Sequence, residues 1–283
     1  VKYYKQVIRP MLEYGIQIYK PTKTQEGQLE AIQHMYLTKI AGVYITTRKT
    51  AMRILLGIIP LKARMDLLRL KTWYQTQNAE NVYRKYVTKE IQNVKEKYEN
   101  MTHCRQKSYT IDVYETLREY ELEEYWEERI EMTQEKWNTL IRKKVLKKAY
   151  LKDIQEITQS ESCMFLRALA ADRDQRENYY DKIQEIDIRE DTKNFAPFAR
   201  VITGNPNFNW KKTIDKKVER QTTICPWCLT EWQQPIRHVI LDCKNMEMIR
   251  KQTWKQTNNH ETEITPKQFF QFCKKAFSNS QYI

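Results

Sequence analysis

Cys225-Pro-Trp-Cys228, followed by His238 and Cys243, forms a C-x2-C-x9-H-x4-C arrangement. Three thiols and one imidazole at this spacing are the donor set of a closed tetrahedral Zn²⁺ site. Thiolates and a neutral imidazole fill all four positions and leave none for a water. The chain holds six cysteines and four histidines, and four of these ten residues fall in that short window. The first pair suits a tight knuckle whose backbone N–H groups point at the thiolates, and His238 and Cys243 return from the far side of a short loop. The competing reading places the four residues in a small hydrophobic core. Trp232, Gln233, Gln234 and Pro235, between the pairs, offer little for thiols to join. The expectation is a structural zinc held by Cys225, Cys228, His238 and Cys243, with no open position for an activated water.

The rest of the composition narrows the function classes. Only five glycines occur, and neither G-x-x-x-x-G-K-[ST] nor G-x-G-x-x-G is present, so glycine-rich phosphate loops are excluded. Lys plus Arg outnumber Asp plus Glu by 49 to 36, a formal charge of +13. That excess favours a polyanion, of which nucleic acid is the commonest, over a merely solvated basic surface. Cys104, Cys163 and Cys273 are scattered singly, as in a reducing, intracellular compartment. No apolar run reaches the ~18 residues a membrane-spanning helix needs, and the start, Val1-Lys-Tyr-Tyr4, is not a signal peptide. Beginning with Val, the chain reads as a piece of something longer.

The pattern along the chain is mainly helical. Residues 1–20 carry Tyr4, Val7, Ile8, Met11 and Leu12 at helical spacing, with Pro10 as a kink or first turn. Thr24 is the expected cap of a helix whose apolar face is Leu29, Ile32, Tyr36, Leu37 and Ile40, ended by Gly42. Thr47 is the expected cap of a short helix stopped by Gly57, and Pro60 opens the next, which carries Leu61, Met65, Leu68 and Leu70 toward Trp73 and Val82. Ile91, Val94 and Tyr98 predict one further helix. An acidic stretch, 115–135, and a basic one, 136–152, keep helical spacing through Leu122, Trp126 and Ile130, then Trp137, Ile141, Val145 and Leu146. Amphipathic helices with solvated charged faces explain both; the sharper reading lays the basic face, with Arg142, Lys143 and Lys147, on a phosphate backbone. Phe165, Leu166, Leu169 and Ala170 read as helix core. Asp172 and Asp174 read as surface charges more than as a metal pair, because residues two apart do not face one another on a helix. Ala199–Thr203 ends at a Gly204-Asn-Pro206 turn. Asn207-Phe-Asn-Trp-Lys-Lys212 interleaves rings and cations as a nucleic-acid surface does, with Trp210, Lys211 and Lys212 as candidates, although Phe208 and Trp210 packed beneath the zinc site is the favoured placement. Met246, Ile249 and Trp254 suggest a helix broken at Asn258-Asn259. Thr265-Pro266 opens a last helix striped by Phe269, Phe270, Phe272 and Phe277. The expected architecture is mainly α: a helical bundle over 1–85, a charged helical connector over 86–197, and a small zinc-stabilised CCHC lobe with a C-terminal helix over 198–283.

Several of these runs carry a resemblance. Tyr4-Lys-Gln-Val-Ile-Arg-Pro-Met-Leu-Glu-Tyr-Gly15, Leu29-Glu-Ala-Ile-Gln33, Ile40-Ala-Gly42 and Leu55-Leu-Gly-Ile-Ile-Pro-Leu61 resemble the thumb that follows the polymerase palm in non-LTR (LINE-like) retrotransposon reverse transcriptases. Arg200-Val-Ile-Thr-Gly204, Cys225-Pro-Trp-Cys228 and His238-Val-Ile-Leu-Asp-Cys243 resemble the C-terminal Cys/His motif of the same family, arthropod elements that insert into ribosomal RNA genes being the nearest in character. The resemblance spans about residues 1–75 and 198–245. Asn205 stands where the family usually carries His. It implies a polyprotein with RNA-directed DNA polymerase and endonuclease activities, acting in the nucleus at the site of integration. This stretch would grip the template–primer duplex and bind RNA template and target DNA, with the rest of the polyprotein upstream. No Tyr/Phe-x-Asp-Asp sequence is present, so no catalytic residue is assigned, and the Mg²⁺ ions of nucleotidyl transfer are expected in the polymerase part. Two other readings stand beside it: a stand-alone zinc-containing endonuclease using Asp242 and Lys244, and a zinc-stabilised module that binds a protein partner.

Overall fold

Helix boundaries in this chain are set by capping chemistry and by a few residues that cannot continue a helix. The structure, a computed structural model, describes residues 1–79, 82–100, 108–127, 129–160, 163, 165–166, 192–204, 212–215, 220–225, 227–232, 237–254 and 266–277. It is mainly α-helical. A π-helical turn, Tyr4–Ile8, runs into α1, Arg9–Glu13, with Pro10 in its first turn. The helix predicted over 1–20 therefore stops early, and Gly15, at φ 73°, turns the chain. Helix α2 is Lys23–Ala41. It opens on a reciprocal cap: Thr22 Oγ1 accepts from Gln25 N–H at 3.4 Å, and Gln25 Oε1 accepts from Thr22 N–H at 2.9 Å. Thr22 is the cap rather than Thr24, which already lies within the helix.

Helix α3 is Lys49–Leu56, and α4 is Leu61–Asn78. Arg48 occupies the N-cap of α3 without a side-chain bond, so Thr47 falls one residue too early for the role expected of it. Gly57 closes α3 as expected: at φ 61°, ψ 45° its N–H donates to the carbonyls of Arg53 and Ile54, a left-handed conformation that costs glycine nothing. Pro60 is the N-cap of α4. Helix α5 is Val82–Asn100, α6 is Tyr109–Glu119, and α7 is Gln134–Thr158. Ser108 caps α6 through Ile111 N–H.

The chain divides into two units, Val1–Gln33 with Ile59–Lys152, and His34–Ile58 with Asp153–Ile283. This division runs across the sequence segments 1–85, 86–197 and 198–283, because 34–58 group with the C-terminal part and 86–152 with the N-terminal helices.

In the first unit the aromatic core is fixed by hydrogen bonds as well as by burial. The indole N–H of Trp73 donates to Tyr125 O at 2.9 Å, that of Trp126 to Thr110 O at 3.0 Å, and that of Trp137 to Leu70 O at 3.0 Å. All three side chains are buried, so each ring removes a large apolar area from water without stranding its polar atom. These bonds explain why 120–133 is not the helix the spacing predicts. α6 ends at Glu119, Glu121 takes φ 56°, and a 3₁₀ turn at Glu123–Tyr125 carries Leu122, Trp126 and Ile130 into the core from irregular backbone. A polar network lies beneath. Asp66 accepts from Tyr120 Oη at 2.8 Å and from Lys62 Nζ at 2.8 Å, and pairs with Arg69 at 3.2 Å. Burial, then the Asp66 carboxylate, pushes the Tyr120 phenol far up. Burial alone lowers the Lys62 ammonium, but Asp66 and Glu119 outweigh it and leave the group raised.

α2 also departs from its expected apolar face. Leu37 is buried, but Ile32 and Ile40 are exposed, and the inward line runs through Gln33, His34 and Thr38. In the first unit the Gln33 amide donates to Tyr4 Oη at 2.8 Å, so the buried pair is satisfied. In the second, His34 Nε2 meets Ile45 O at 2.9 Å and Thr38 Oγ1 donates to Met35 O at 3.0 Å.

The second unit holds α3, then α8, Thr192–Ile202, a small sheet, α9, Glu247–Thr253, and α10, Pro266–Phe277. The sheet is β1, Lys212–Asp215, β2, Arg220–Ile224, and β3, Glu231–Trp232, antiparallel in the order β1-β2-β3. The phenylalanine stripe of α10 is buried as expected: Phe198 of α8 meets Phe269 at 5.9 Å and Phe270 at 5.4 Å between ring centroids, and Phe165 stacks on Phe269 at 5.3 Å. Gly42, at φ 65°, lies against α8, where an added Cβ would come 2.7 Å from Ala196 Cβ, and its carbonyl accepts from Arg200 Nε at 3.0 Å. Gly42→Ala is therefore expected to destabilise the protein by about 2–4 kcal/mol, combining left-handed strain with overpacking. A denaturant midpoint unchanged from wild type would contradict that contact. Leu169, Ala170, Asp172, Asp174, Phe208, Thr265 and the Asn258-Asn259 break lie outside the described residues.

Candidate metal centre

The knuckle is built by the sheet. β2 delivers Cys225, a turn carries Trp227 and Cys228, and β3 returns alongside, with Thr223 opposite Trp232 and Ile224 opposite Glu231. The turn is closed by two backbone bonds, Leu229 N–H to Cys225 O at 2.8 Å and Cys225 N–H to Thr230 O at 2.9 Å, and Leu229 takes φ 60°. A π-helical turn, His238–Asp242, brings the other two donors: Cys243 N–H donates to His238 O at 2.6 Å, which puts both side chains on one side of the turn.

The four donor atoms of Cys225, Cys228, His238 and Cys243 lie within 4.8 Å of one another. Cys225 Sγ is 3.9 Å from Cys243 Sγ, and Cys228 Sγ is 3.1 Å from His238 Nε2. A tetrahedral ion bound at a metal–sulfur distance of about 2.3 Å holds its sulfurs ~3.8 Å apart. The donor set and its spacing therefore fit a metal ion. Among the described residues this is the one group of three or more His, Cys, Asp or Glu gathered closely enough to hold an ion. Asp242 and Lys244, the residues a nuclease would need, are exposed on either side of Cys243 and belong to no such carboxylate cluster among those residues.

Packing around the donors supplies what their spacing does not disclose. The Trp232 ring stacks on His238 at 4.1 Å and 14°, fixing the plane of the imidazole. Thr230 Oγ1 sits 2.8 Å from Cys228 Sγ and accepts from Trp232 Nε1 at 2.6 Å. Trp227, inside the knuckle, packs edge-on against Phe277 of α10 at 5.7 Å, and Asn245 donates to its carbonyl. Arg250 of α9 donates to Cys243 O at 2.6 Å and to Val239 O at 3.3 Å, tying the π turn to the next helix. None of Thr230, Trp232, Asn245, Arg250 or Phe277 was singled out as site-supporting by the spacing of Cys and His. The place of Trp232 and Thr230 immediately after the first Cys pair is the one signal the sequence holds for them.

Electrostatics separate the thiols in the absence of an ion. Burial pushes Cys225 up to about 12 and also raises Cys243. At Cys228 burial acts upward too, but hydrogen bonds from the Thr230 side chain and backbone, then His238, outweigh it and bring the thiol down to about 6. At neutral pH Cys225 and Cys243 therefore carry protons that a metal must displace, because only the thiolate is a ligand. Metal binding at pH 7 is expected to release about two protons, more below pH 6 as Cys228 also protonates, and affinity should fall as pH falls. Calorimetric titration in buffers of different ionisation enthalpy reads this number; no proton release would contradict thiolate ligation.

The candidate nucleic-acid contacts separate into two groups. Arg142, Lys143 and Lys147 are exposed on α7 and make no ion pair among the described residues, whereas Lys144 and Lys148 of the same run donate to Glu121 O and Glu119 O. Burial, then the cations of Arg64 and Arg142, lowers the Lys71 ammonium, which places Arg142 in a basic neighbourhood. Lys212 lies in β1, and Trp210 and Lys211 lie outside the described residues. Among the described residues no helix is long and apolar enough to cross a membrane. Compared with protein-family models, curated proteins and solved structures, the chain matches none.

Proposed function

We propose that this chain is the thumb and Cys/His end of a non-LTR retrotransposon reverse transcriptase, of the kind that inserts into ribosomal RNA genes. In this reading it grips the template–primer duplex and binds RNA template and target DNA during target-primed reverse transcription, in the nucleus at the site of integration. The observation that carries the nucleic-acid part is the sorting of cations on α7. Lys144 and Lys148 are spent on backbone carbonyls within the protein, while Arg142, Lys143 and Lys147 stay exposed with no carboxylate partner among the described residues. Cations left in this state attract a phosphate backbone and release its counterions on contact. The thumb assignment rests on the sequence runs from Tyr4 to Leu61, and the Cys/His assignment on the runs from Arg200 to Cys243.

The Cys3His cluster holds a structural Zn²⁺ in this reading. Cys225, Cys228 and Cys243 bind as thiolates and His238 as neutral imidazole, and the ion cross-links the knuckle to the π turn. Polymerisation and its Mg²⁺ belong to a Tyr/Phe-x-Asp-Asp centre, which this sequence lacks.

The test is binding of the chain to a labelled RNA–DNA hybrid duplex over a range of salt. The wild type should lose affinity steeply as salt rises, and replacing Arg142, Lys143 and Lys147 together by Ala should reduce the log–log slope by about 2–3. The isolated chain should incorporate no nucleotide. A flat salt response, or a triple variant indistinguishable from wild type, would overturn the proposal and favour a protein partner.

A further inference from the structure

Arg64 and Lys71 stand seven residues apart on α4, which places them on one line of the helix, two turns and about 10.5 Å apart along its axis. Both are half-buried. α7 meets α4 beside them: the Trp137 indole N–H donates to Leu70 O at 3.0 Å, and its ring stacks on Tyr74 at 6.3 Å. Arg142 follows on α7, little more than one turn beyond Trp137, and is exposed. Burial, then the guanidinium charges of Arg64 and Arg142, lowers the Lys71 ammonium, and no carboxylate of the described residues acts against them. Arg64 has only a shared counter-charge: its Nε donates to Glu13 Oε1 at 2.8 Å, but Arg9 Nε lies 3.4 Å from the same oxygen. Four cations on α1, α4 and α7 thus share one carboxylate, all within the first unit. The contrast lies on α4 itself, where Lys62 is also half-buried but donates to Asp66 and Glu119 at 2.8 Å each. Taking an ammonium partly out of water beside two like charges is unfavourable in the free protein, and groups held in that state mark binding sites.

We infer that Lys71, Arg64 and Arg142 form a seat for one backbone phosphate of a nucleic acid, between α4 and α7. An anion there supplies the counter-charge that the three cations lack and accepts charge-assisted hydrogen bonds from their N–H groups. A phosphate has oxygens enough to take donors from two helices at once. Continuity selects nucleic acid over a free phosphate: Arg142 leads directly to the exposed Lys143 and Lys147 of the same helix, so the seat is one point on a row of cations. The inference rests on the nucleic-acid reading above and deepens it. The exposed cations of α7 attract the backbone, whereas half-buried Lys71 holds one phosphate at a fixed point.

The experiment measures two quantities on the full chain: affinity for an RNA–DNA hybrid duplex over a range of salt, and the denaturant midpoint without nucleic acid. Lys71→Met should weaken duplex binding about tenfold or more and lower the log–log slope by about 0.9, the value of one phosphate contact. The same change should raise the midpoint of the free protein, because the charge repelled by Arg64 and Arg142 is gone. Lys71→Glu should raise the midpoint further, by attracting those guanidiniums, and weaken binding more than Met does. Stability and affinity should therefore rank the three proteins in opposite orders. A Lys71→Met protein with wild-type affinity and slope would overturn the seat and leave the duplex-binding proposal standing, since that is carried by the exposed cations of α7. A midpoint that falls together with affinity would also overturn it, by showing that the ammonium is structural. If the wild type bound no duplex, this inference and the proposed function would fall together.

Discussion

Removing the metal, by a chelator or by Cys225→Ser, is expected to unfold the Cys/His region while the tryptophan core of the first unit persists. The region has little else to hold it. Its strands are four, five and two residues long, and the buried apolar side chains between Cys225 and Met246 among the described residues are Val239 and Ile240 with Met246 itself. Segments of this size do not bury enough surface to offset the entropy of ordering them, and small metallo-domains draw on an apparent metal-binding free energy on the order of 10 kcal/mol. Without the ion, Cys225 and Cys243 are neutral buried thiols 3.9 Å apart, and the knuckle meets the π turn through the Trp232 ring on His238 and through Cys228 Sγ, 3.1 Å from His238 Nε2. Hydrogen exchange reads the outcome at particular amides: Cys225 N–H, Leu229 N–H and Cys243 N–H, each now bonded to a carbonyl, should lose protection. Protection of α4 and of α7 around Trp137 should remain. If all three knuckle amides stay protected after chelation, the packing of Trp227 on Phe277 and Trp232 on His238 suffices, and the metal is not structural.

Asp153→Ala is expected to be the most damaging single change in the helical part of the second unit. Asp153 and Arg53 are 1 % and 7 % exposed, and they meet twice, Arg53 Nη2 to Oδ1 at 2.6 Å and Nε to Oδ2 at 3.2 Å. Their mutual attraction serves mainly to offset the cost of taking both charges out of water. Deleting the carboxylate leaves a buried guanidinium without its bidentate partner, a loss of roughly 3–5 kcal/mol. Replacing both residues together, Arg53→Met with Asp153→Leu, should recover most of that stability, because the stranded charge is gone. The exposed Glu247–Lys251 pair on α9, at 2.7 Å, is the control; breaking it should leave the midpoint close to that of wild type. Denaturant midpoints of the three variants decide the matter. An Asp153→Ala midpoint close to wild type would mean that the pair is not buried in solution.

What the sequence discloses depends on whether the determining interaction is local. The Cys/His donors, the stop at Gly57 and the phenylalanine stripe of α10 rest on spacing and on backbone geometry within a few residues, and all three were legible. The cap of α2 is Thr22 rather than the expected Thr24, though the Thr22…Gln25 pair is a local signature. The stretch 120–133 departs from the helix its spacing predicts for a different reason. Leu122, Trp126 and Ile130 are buried as their spacing suggests, but the conformation is chosen by partners far along the chain, Trp126 by Thr110 O and Tyr120 by Asp66. α2 departs from its expected apolar face because its inward residues, Gln33, His34 and Thr38, are polar, and Gln33 and His34 are partnered by groups farther along the chain, Tyr4 Oη and Ile45 O. The same holds at the metal centre. The ligands are visible in one dimension, whereas the support from Phe277 and Arg250 arises from helices that follow it.

X-ray absorption at the metal edge of the purified chain tests the central claim most directly. The account predicts one zinc per chain, bound by three sulfurs at about 2.3 Å and one nitrogen at about 2.0–2.1 Å, with no oxygen ligand. An oxygen in the first coordination sphere, or fewer than three sulfurs, would contradict a closed site made by Cys225, Cys228, His238 and Cys243.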